Sequence, residues 1–491
     1  MIKRAGESPV AARVLAACAG TVATWPAVAS AHVGGGALIL LLPTHLYVAG
    51  GAIVVAASFA LVALVPPRLF SRLEALSLRL SVAVFPWRDT VSTAASLLSL
   101  AAIVLLAAAG VLGSRDPLAN PLPLFVWTVW WIGFTYLHAV FGNLWAHLNP
   151  WTGLYRLVTS AGPLAGWRKR PPLAYPPWAG HWPAVAGFLP FAWFELVYPA
   201  PSDPAVLARL VVGYVLAHFG GMLAFGERWL GEAEPFSVFF RMVSWLAPLG
   251  ARVPSGRRPG RGARLEVELA LPALRLLRTR ARSVSLAAFV LLVLSSVSFD
   301  GLSRTFTWLG LLGANPLAYP GRTVLMAPNT LGLLGVFAGL VVAYVAAVGL
   351  LAPLAGIRLP LARLVALFAL ALVPIACGYH FAHYLPVFLV DVQYAIRAAS
   401  DPLARGWDLL GTRDLHVVSS FLSDPARVYA IWHSQVVIIV AAHVAGVTVA
   451  HALALRLAGR APATVSQLPM LVLMIGYTTL GLWLLSTPAV G

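Results

Sequence analysis

The sequence predicts an all-α, polytopic integral membrane protein, a bundle of about ten transmembrane helices, and three observations predict this fold class. The chain of 491 residues is 60% hydrophobic and 10% charged, whereas a soluble domain carries about 25% charged residues. Its mean hydropathy is +0.83. Apolar runs of roughly 20 residues recur along the whole length, and each is long enough to cross a bilayer as a helix.

The first 31 residues have the pattern of a secretory signal peptide. The basic start "MIKRAGESPVAAR" is followed by the short apolar stretch "VLAACAGTVAT", and Ala29-Ser30-Ala31 fits a small-residue cleavage site. Residues 1–31 are therefore predicted to be removed, which leaves residues 32–491 as the transmembrane domain. A retained span, interrupted by Pro26, is the alternative. Cleavage makes His32 the mature N-terminus, where its amine and its ring nitrogen can bind one metal ion together.

Pro- and Gly-rich turns separate the predicted spans, which cover residues 44–65, 93–113, 122–142, 182–200, 205–226, 284–303, 331–352, 364–389, 430–453 and 468–486. With the mature N-terminus outside, the cytoplasmic segments hold 23 Lys and Arg residues and the external loops hold 7. The positive-inside rule then predicts a bacterial inner (cytoplasmic) membrane protein with both termini on the outer side. The net charge of +17 thus reflects topology, and a nucleic-acid partner is not predicted.

The segment 227–283 is the most basic of the predicted cytoplasmic segments. It contains "RVPSGRRPGRGARLEVELALPALRLLRTRARS", which predicts a basic loop with an amphipathic helix near 265–280. Such a helix lies in the interface of a bilayer with anionic lipid. Docking of a cytoplasmic partner is the alternative, although the sequence specifies no particular protein partner.

Ionisable side chains inside spans are costly and mark functional sites by default. The predicted topology brings such residues on five spans to one outer level, and His380 and His383 share a helix face through their i, i+3 spacing. Imidazoles and carboxylates together suit a divalent metal such as Zn or Cu, which can activate water. The alternative for each lone histidine is packing with a hydrogen bond between helices. The predicted metal ligands are His380, His383, His433, His45 and His32, and the predicted catalytic carboxylates are Asp300 and Glu195.

A second group of histidines is predicted at a deeper, inner level. It comprises His138, His147, His218, His443 and His451. Three interpretations of this group stay open: haem ligation, a proton path and packing with interhelical hydrogen bonds.

Several segments resemble a group of bacterial multi-spanning proteins known as fenitrothion hydrolases, which are organophosphorus hydrolase-like. The segments are "LPTHLYVAGGAIVVAASFALVAL", "SVSFDGLSRTFTW", "GYHFAHYLPVFLVDVQ", "WHSQVVIIVAAHVAGVTVAHALAL" and "SQLPMLVLMIGYTTLGLWLLS". The resemblance covers nearly the whole mature chain. It implies hydrolysis of an organophosphorus triester to a dialkyl phosphate and a phenol, and it carries over no particular catalytic residues.

Two functions follow from these observations. The first is a metal-dependent hydrolase of apolar organophosphorus triesters, which would reach an outer-leaflet site from the lipid bilayer. The second is a membrane copper-binding or metal-transport protein, in which the histidines would pass a metal ion inward. The small-molecule partner is accordingly an apolar substrate or a metal ion. The sequence lacks the GxSxG, P-loop, HExxH and Rossmann motifs of soluble enzymes.

Overall fold

The computed structural model describes residues 44–66, 68–70, 72, 76–83, 88–252, 264–279, 283–315, 321–458 and 460–487. The predicted signal peptide and His32 lie outside the described residues.

The helices of the described residues are α1 Thr44–Leu64, α2 Arg88–Leu112, α3 Pro121–Phe141, α4 Trp145–Leu148, α5 Pro150–Val158, α6 Trp182–Leu196, α7 Pro204–Phe225, α8 Arg228–Glu232, α9 Pro235–Ser244, α10 Leu274–Arg278, α11 Val284–Ser303, α12 Phe306–Leu311, α13 Arg322–Ala355, α14 Leu361–Ser400, α15 Pro425–Ala458, α16 Arg460–Ser466 and α17 Leu468–Ser486. The strands are β1 Ser77–Ala83, β2 Leu249–Arg252 and β3 Arg264–Ala270. Short 3₁₀ turns cover Gly162–Leu164 and Ser420–Leu422, and a 3₁₀ segment within α14 covers Ala369–Leu372.

Nine helices of the described part of the chain are long and apolar enough to cross a membrane, and they are α1, α2, α3, α7, α11, α13, α14, α15 and α17. The predicted span at 182–200 is not among them. Its helix, α6, has 15 residues and is therefore about 22 Å long. A hydrocarbon core of about 30 Å needs roughly 20 residues, so the prediction of about ten full spans is one too many for these residues.

Helix α14 extends further than the sequence predicts. The expected span ended at residue 389, after Pro386, but the helix continues to Ser400 with Pro386 inside it. Proline removes one backbone hydrogen bond and can kink or end a helix, but α14 continues through it. The extension keeps Asp391 on the same helix as His383.

A three-stranded antiparallel sheet replaces part of the predicted amphipathic helix. The strand order is β1-β3-β2, with Leu80 opposite Val267 and Gly250 opposite Glu268. Residues 264–270 form β3, and only the short helix α10 follows. The sequence "RLEVELA" alternates charged and apolar residues with a period of two, which is the period of a strand.

Ion pairs tie this sheet to the chain that follows it. Glu268 Oε1 lies 2.7 Å from an Arg278 guanidinium nitrogen and 3.3 Å from Arg79 Nε. Burial raises the pKa of the Glu268 carboxyl, but the hydrogen bonds and charges of these arginines outweigh it and lower the pKa to about 2.

The centre of the bundle is α11. In the most apolar 18-residue stretch of α11, 94% of the residues are buried, and in that of α14 the share is 78%. The corresponding shares are 17% for α1 and 22% for α2. Helix α11 packs against α6, α13 and α14. Two of its serines are satisfied within the helix, since Ser295 and Ser296 each donate to a carbonyl three residues earlier. Polar groups near the end of α11 are therefore held at the middle of the protein, away from lipid.

The close approach of α14 to α15 depends on Gly378. A Cβ atom at this position would lie 2.3 Å from Ala442 Cβ, so Gly378→Ala is expected to push the two helices apart. Overpacking of this kind lowers the free energy of unfolding by about 1–3 kcal/mol. Thermal unfolding of the purified protein in detergent measures the effect. Gly335→Ala in α13 is the matched control, because no atom lies within 4 Å of the added Cβ and alanine favours a helix. Equal changes for both variants would contradict this account.

Candidate active site

Asp300 is a buried carboxylate near the C-terminal end of α11. It is 2% exposed, and its two oxygens have different partners. Oδ2 accepts a hydrogen bond from His383 Nε2 at 2.9 Å, and Oδ1 lies 3.0 Å from an Arg304 guanidinium nitrogen. A buried charge without partners is strongly destabilising. These two contacts therefore favour the ionised carboxylate and hold both neighbours in place.

Asp300 also determines which ring nitrogen of His383 carries the proton. An ionised carboxylate can only accept hydrogen bonds, so His383 donates its Nε2–H. The neutral ring then has its lone pair on Nδ1. The His383 side chain is 18% exposed and lines a cavity together with Asp300. A histidine oriented in this way by a carboxylate can act as a general base.

Glu195 and Tyr384 form a second polar pair beside the first. Tyr384 follows His383 in α14, and its hydroxyl donates to Glu195 Oε1 at 2.9 Å. Arg322, at the start of α13, donates from one Nη to the backbone oxygens of Glu195 at 2.9 Å and Tyr198 at 3.2 Å. Helices α6, α11, α13 and α14 therefore meet at one place through hydrogen bonds and charges.

These groups surround a cavity of about 230 Å³. Two guanidinium groups line it, and the Arg304 side chain is 47% exposed, so it is open to a ligand while it pairs with Asp300. Apolar residues such as Leu124 and Val387 complete the wall. Cationic donors beside a base suit a reacting centre that develops negative charge on oxygen. The ionisable lining residues are Glu195, Asp300, Arg304, Arg322, His383, Tyr384 and Asp391.

One wall of the cavity is a π-helical segment of α3, Leu124–Gly133. At its end, the N–H of Phe134 bonds to the carbonyl of Val129, five residues earlier. The π-helix is rare and is frequent at functional sites. Its residues Trp127, Thr128 and Trp131 line the cavity. The segment therefore contributes two indole rings to the wall.

The structure brings Asp300, His383 and Glu195 together, as the sequence predicts, but it separates His380 from them. The His380 ring is 1% exposed and packs against Trp131, with ring centroids 4.7 Å apart. Its Nε2 lies 3.3 Å from the Trp131 carbonyl. Although His380 and His383 share a helix face, their environments differ. His383 lines the cavity, and His380 packs behind Trp131, which forms part of the cavity wall.

His433 belongs to a contact between α15 and α1. Its Nδ1–H donates to the Tyr429 carbonyl at 2.8 Å, and its Nε2 lies 3.0 Å from the Tyr47 hydroxyl. His45 is exposed at the start of α1. Among the described residues, no three His, Cys, Asp or Glu side chains lie close enough together to hold a metal ion. The described residues therefore do not assemble the predicted ligand set of His380, His383, His433 and His45.

Hydrogen bonds already engage some of the inner histidines. His138 is fully buried, its Nδ1–H donates to the Phe134 carbonyl at 2.7 Å, and its Nε2 accepts from the Trp145 backbone N–H at 2.9 Å. Both ring nitrogens are occupied, so His138 fits the packing interpretation and offers no free nitrogen to haem or to a metal in transit. His443 Nδ1–H donates to the Ile439 carbonyl at 2.8 Å.

Sequence reasoning did not identify Arg304, Arg322 and Tyr384 as members of the site. Arg304 follows Asp300 at i, i+4, the spacing of a helical ion pair, and this signal was available in "FDGLSR". Tyr384 is adjacent to His383 but carries no charge, and Arg322 lies in a predicted external loop.

The site and the fold together define a class: a multi-pass helical membrane protein in which a buried aspartate pairs with a histidine on the wall of a small, charged cavity. No protein family, curated protein or solved structure matches the chain.

Proposed function

We propose that the chain is a membrane hydrolase of small apolar esters, with organophosphorus triesters as the substrate class. The observation that carries the proposal is the Asp300–His383 pair, at 2.9 Å, on the wall of the same cavity as Arg304 and Arg322. A general base, its orienting carboxylate and nearby cationic donors are the parts that attack by water on a phosphoryl centre requires. The resemblance to fenitrothion hydrolases points to the same reaction.

In the proposed reaction, Nδ1 of His383 removes a proton from a water molecule while the water oxygen forms a bond to phosphorus. The guanidinium groups of Arg304 and Arg322 stabilise the negative charge that grows on the phosphoryl oxygen. The bond from phosphorus to the phenolic oxygen breaks, and the phenoxide takes up the proton from His383. The products are a dialkyl phosphate and a phenol, and the free base is restored.

The location of the cavity among apolar helices gives a reason for a membrane enzyme. An apolar aryl ester partitions into the bilayer and would reach the cavity from the side. The charge distribution of the loops supports a site in the outer half of a bacterial inner membrane, with the mature N-terminus and the C-terminus outside.

The predicted need for Zn or Cu stays a prediction. Asp300 already pairs with His383 and Arg304 through separate oxygens, so the described residues offer no complete ligand set. A metal would require further ligands, of which His32 is one that the sequence predicts. We derive no step of the reaction through a metal.

The proposal is tested by phenol release from an apolar aryl dialkyl phosphotriester, using full-length protein purified into lipid nanodiscs. Wild type is expected to turn the substrate over, and Arg322→Met is expected to lower kcat/KM by about 10²-fold, the usual effect of one lost oxyanion donor. Arg427→Met, in an exposed ion pair with Asp424, is the matched control and should act like wild type.

A chelator arm in the same assay separates the two forms of the proposal. Loss of activity on chelation, restored by added Zn or Cu, would support the metal-dependent form, and unchanged activity would support a base that acts alone. No phenol release by wild type under either condition would overturn the proposal.

A further inference from the structure

A second, larger cavity lies between α2, α3, α6 and α7. Its volume is about 630 Å³, and its lining is mostly aliphatic and aromatic. The indole rings of Trp127, Trp130, Trp145 and Trp151 contribute to it. Trp127 lines the smaller cavity as well, so the two cavities share a wall. Apart from that residue the larger cavity has none of the groups of the candidate active site.

We call this larger cavity the chamber, and the residues at its rim belong to membrane-spanning helices. Val129 of α3 and Leu210 of α7 both line it, and they are 37% and 46% exposed. In the most apolar 18-residue stretch of α2, and likewise of α7, only 22% of the residues are buried inside the protein. The other residues of these stretches therefore face lipid when the protein spans a bilayer. A ligand for the chamber would therefore enter from the bilayer.

His218 of α7 is a polar lining residue whose tautomer can be assigned. Trp229 Nε1 lies 3.0 Å from His218 Nδ1. An indole nitrogen can only donate a hydrogen bond, so His218 Nδ1 must be the acceptor and carry a lone pair. The remaining ring proton of the neutral imidazole is then on Nε2. Among the described residues, this Nε2–H has no hydrogen-bond partner.

The chamber offers a hydrogen-bond donor but no cation. None of the lining residues that the structure describes is Lys, Arg, Asp or Glu. Tyr214 also lines the chamber, but its hydroxyl donates to the Glu234 carboxylate. A carboxylate, that of Glu234, therefore lies behind this end of the chamber, which disfavours a phosphate or a fatty-acid carboxylate. A neutral ligand with a carbonyl oxygen satisfies the donor without introducing a charge.

We propose that this chamber binds an isoprenoid quinone. One ring carbonyl accepts the hydrogen bond of His218 Nε2–H, the flat ring lies among the aromatic side chains, and the isoprenoid tail follows the apolar walls towards the bilayer. Aromatic side chains favour offset or edge contacts with a flat ring. The assignment concerns binding alone and is independent of the hydrolase proposal.

The test uses quenching of tryptophan fluorescence, because quinones quench nearby indole rings and four tryptophans line the chamber. Full-length protein in nanodiscs of neutral lipid is titrated with decylubiquinone. Saturable quenching is expected for wild type. His218→Phe keeps a ring of similar size without the donor and is expected to weaken binding by about three- to tenfold, the effect of one neutral hydrogen bond. His218→Gln keeps an N–H donor and should bind within about threefold of wild type.

Two controls separate recognition from partitioning. His416→Phe changes an exposed loop residue and should bind like wild type. Decylbenzene has the same alkyl chain without carbonyl oxygens and should compete poorly with the quinone. Quenching that rises linearly without saturation, equal competition by decylbenzene, or unchanged binding by a folded His218→Phe protein would each overturn the proposal.

Discussion

Asp300→Asn is expected to abolish nearly all hydrolysis while the cavity keeps its shape. The amide of Asn can donate to His383 Nε2, which would then become the acceptor and leave the ring proton on Nδ1. Nδ1, the proposed base, could then no longer take a proton from water. Where a His–Asp pair performs general base catalysis, this substitution lowers kcat by about 10⁴-fold. Phenol release under saturating substrate measures the change.

The controls for Asp300→Asn separate the loss of the base from a loss of structure. Asp424→Asn alters a carboxylate whose side chain is 44% exposed and should keep the wild-type rate. Asp300→Asn also leaves Arg304 without its buried partner. The folding of the Asp300→Asn protein must therefore be checked by gel filtration and thermal unfolding. A folded Asp300→Asn protein with the wild-type kcat would show that His383 is not the base.

Glu234→Ala is expected to lower the free energy of unfolding by roughly 3 kcal/mol, since several donors lose one acceptor. Glu234 is fully buried and is the N-cap of α9, where it accepts from the backbone N–H groups of Phe236 at 2.9 Å and Ser237 at 2.6 Å. Its carboxylate also accepts from the Tyr214 hydroxyl and from Trp145 Nε1 at 3.4 Å. Thermal unfolding in detergent micelles measures the loss.

Glu227→Ala is the matched control for this change. Glu227 lies seven positions before Glu234 in the chain, and its side chain is 48% exposed. It pairs with Arg168 at the surface at 3.4 Å and with the less exposed Arg156 at 3.9 Å. Exposed ion pairs contribute about 0–1 kcal/mol, so Glu227→Ala should unfold almost like wild type. If both variants unfolded at the same temperature, the buried N-cap would not be the stabilising element described here.

Hydropathy predicted most of the spans well, because a long apolar run has few alternatives to a membrane helix. The predicted spans 284–303 and 468–486 match α11 and α17 at both ends. The errors arose where a local pattern was overridden. The predicted span 364–389 is shorter than α14, which continues to Ser400, and the alternating residues of β3 form a strand whose partner β1 lies far earlier in the sequence.

The candidate site was predicted in part. Topology alone placed Asp300, His383 and Glu195 at one level. The structure joins Asp300 to His383 directly, and Glu195 lines the same cavity. The predicted depth of a residue in the membrane does not specify which faces of the helices meet, however. His433, at the same predicted depth, contacts Tyr47 instead. The π-helical segment of α3 was not predicted, because nothing in "LFVWTVWWIG" distinguishes it from an ordinary apolar helix.

The position of Asp300 in α11 has a consequence for biosynthesis. Its histidine partner, His383, is 83 residues further along the chain and does not exist when α11 is made. Arg304 is only four residues away, so the carboxylate gains a counter-charge as soon as the end of the helix forms. In a bilayer, this local ion pair would lower the cost of inserting α11 before its histidine partner is made. His383 then completes the pair when α14 arrives.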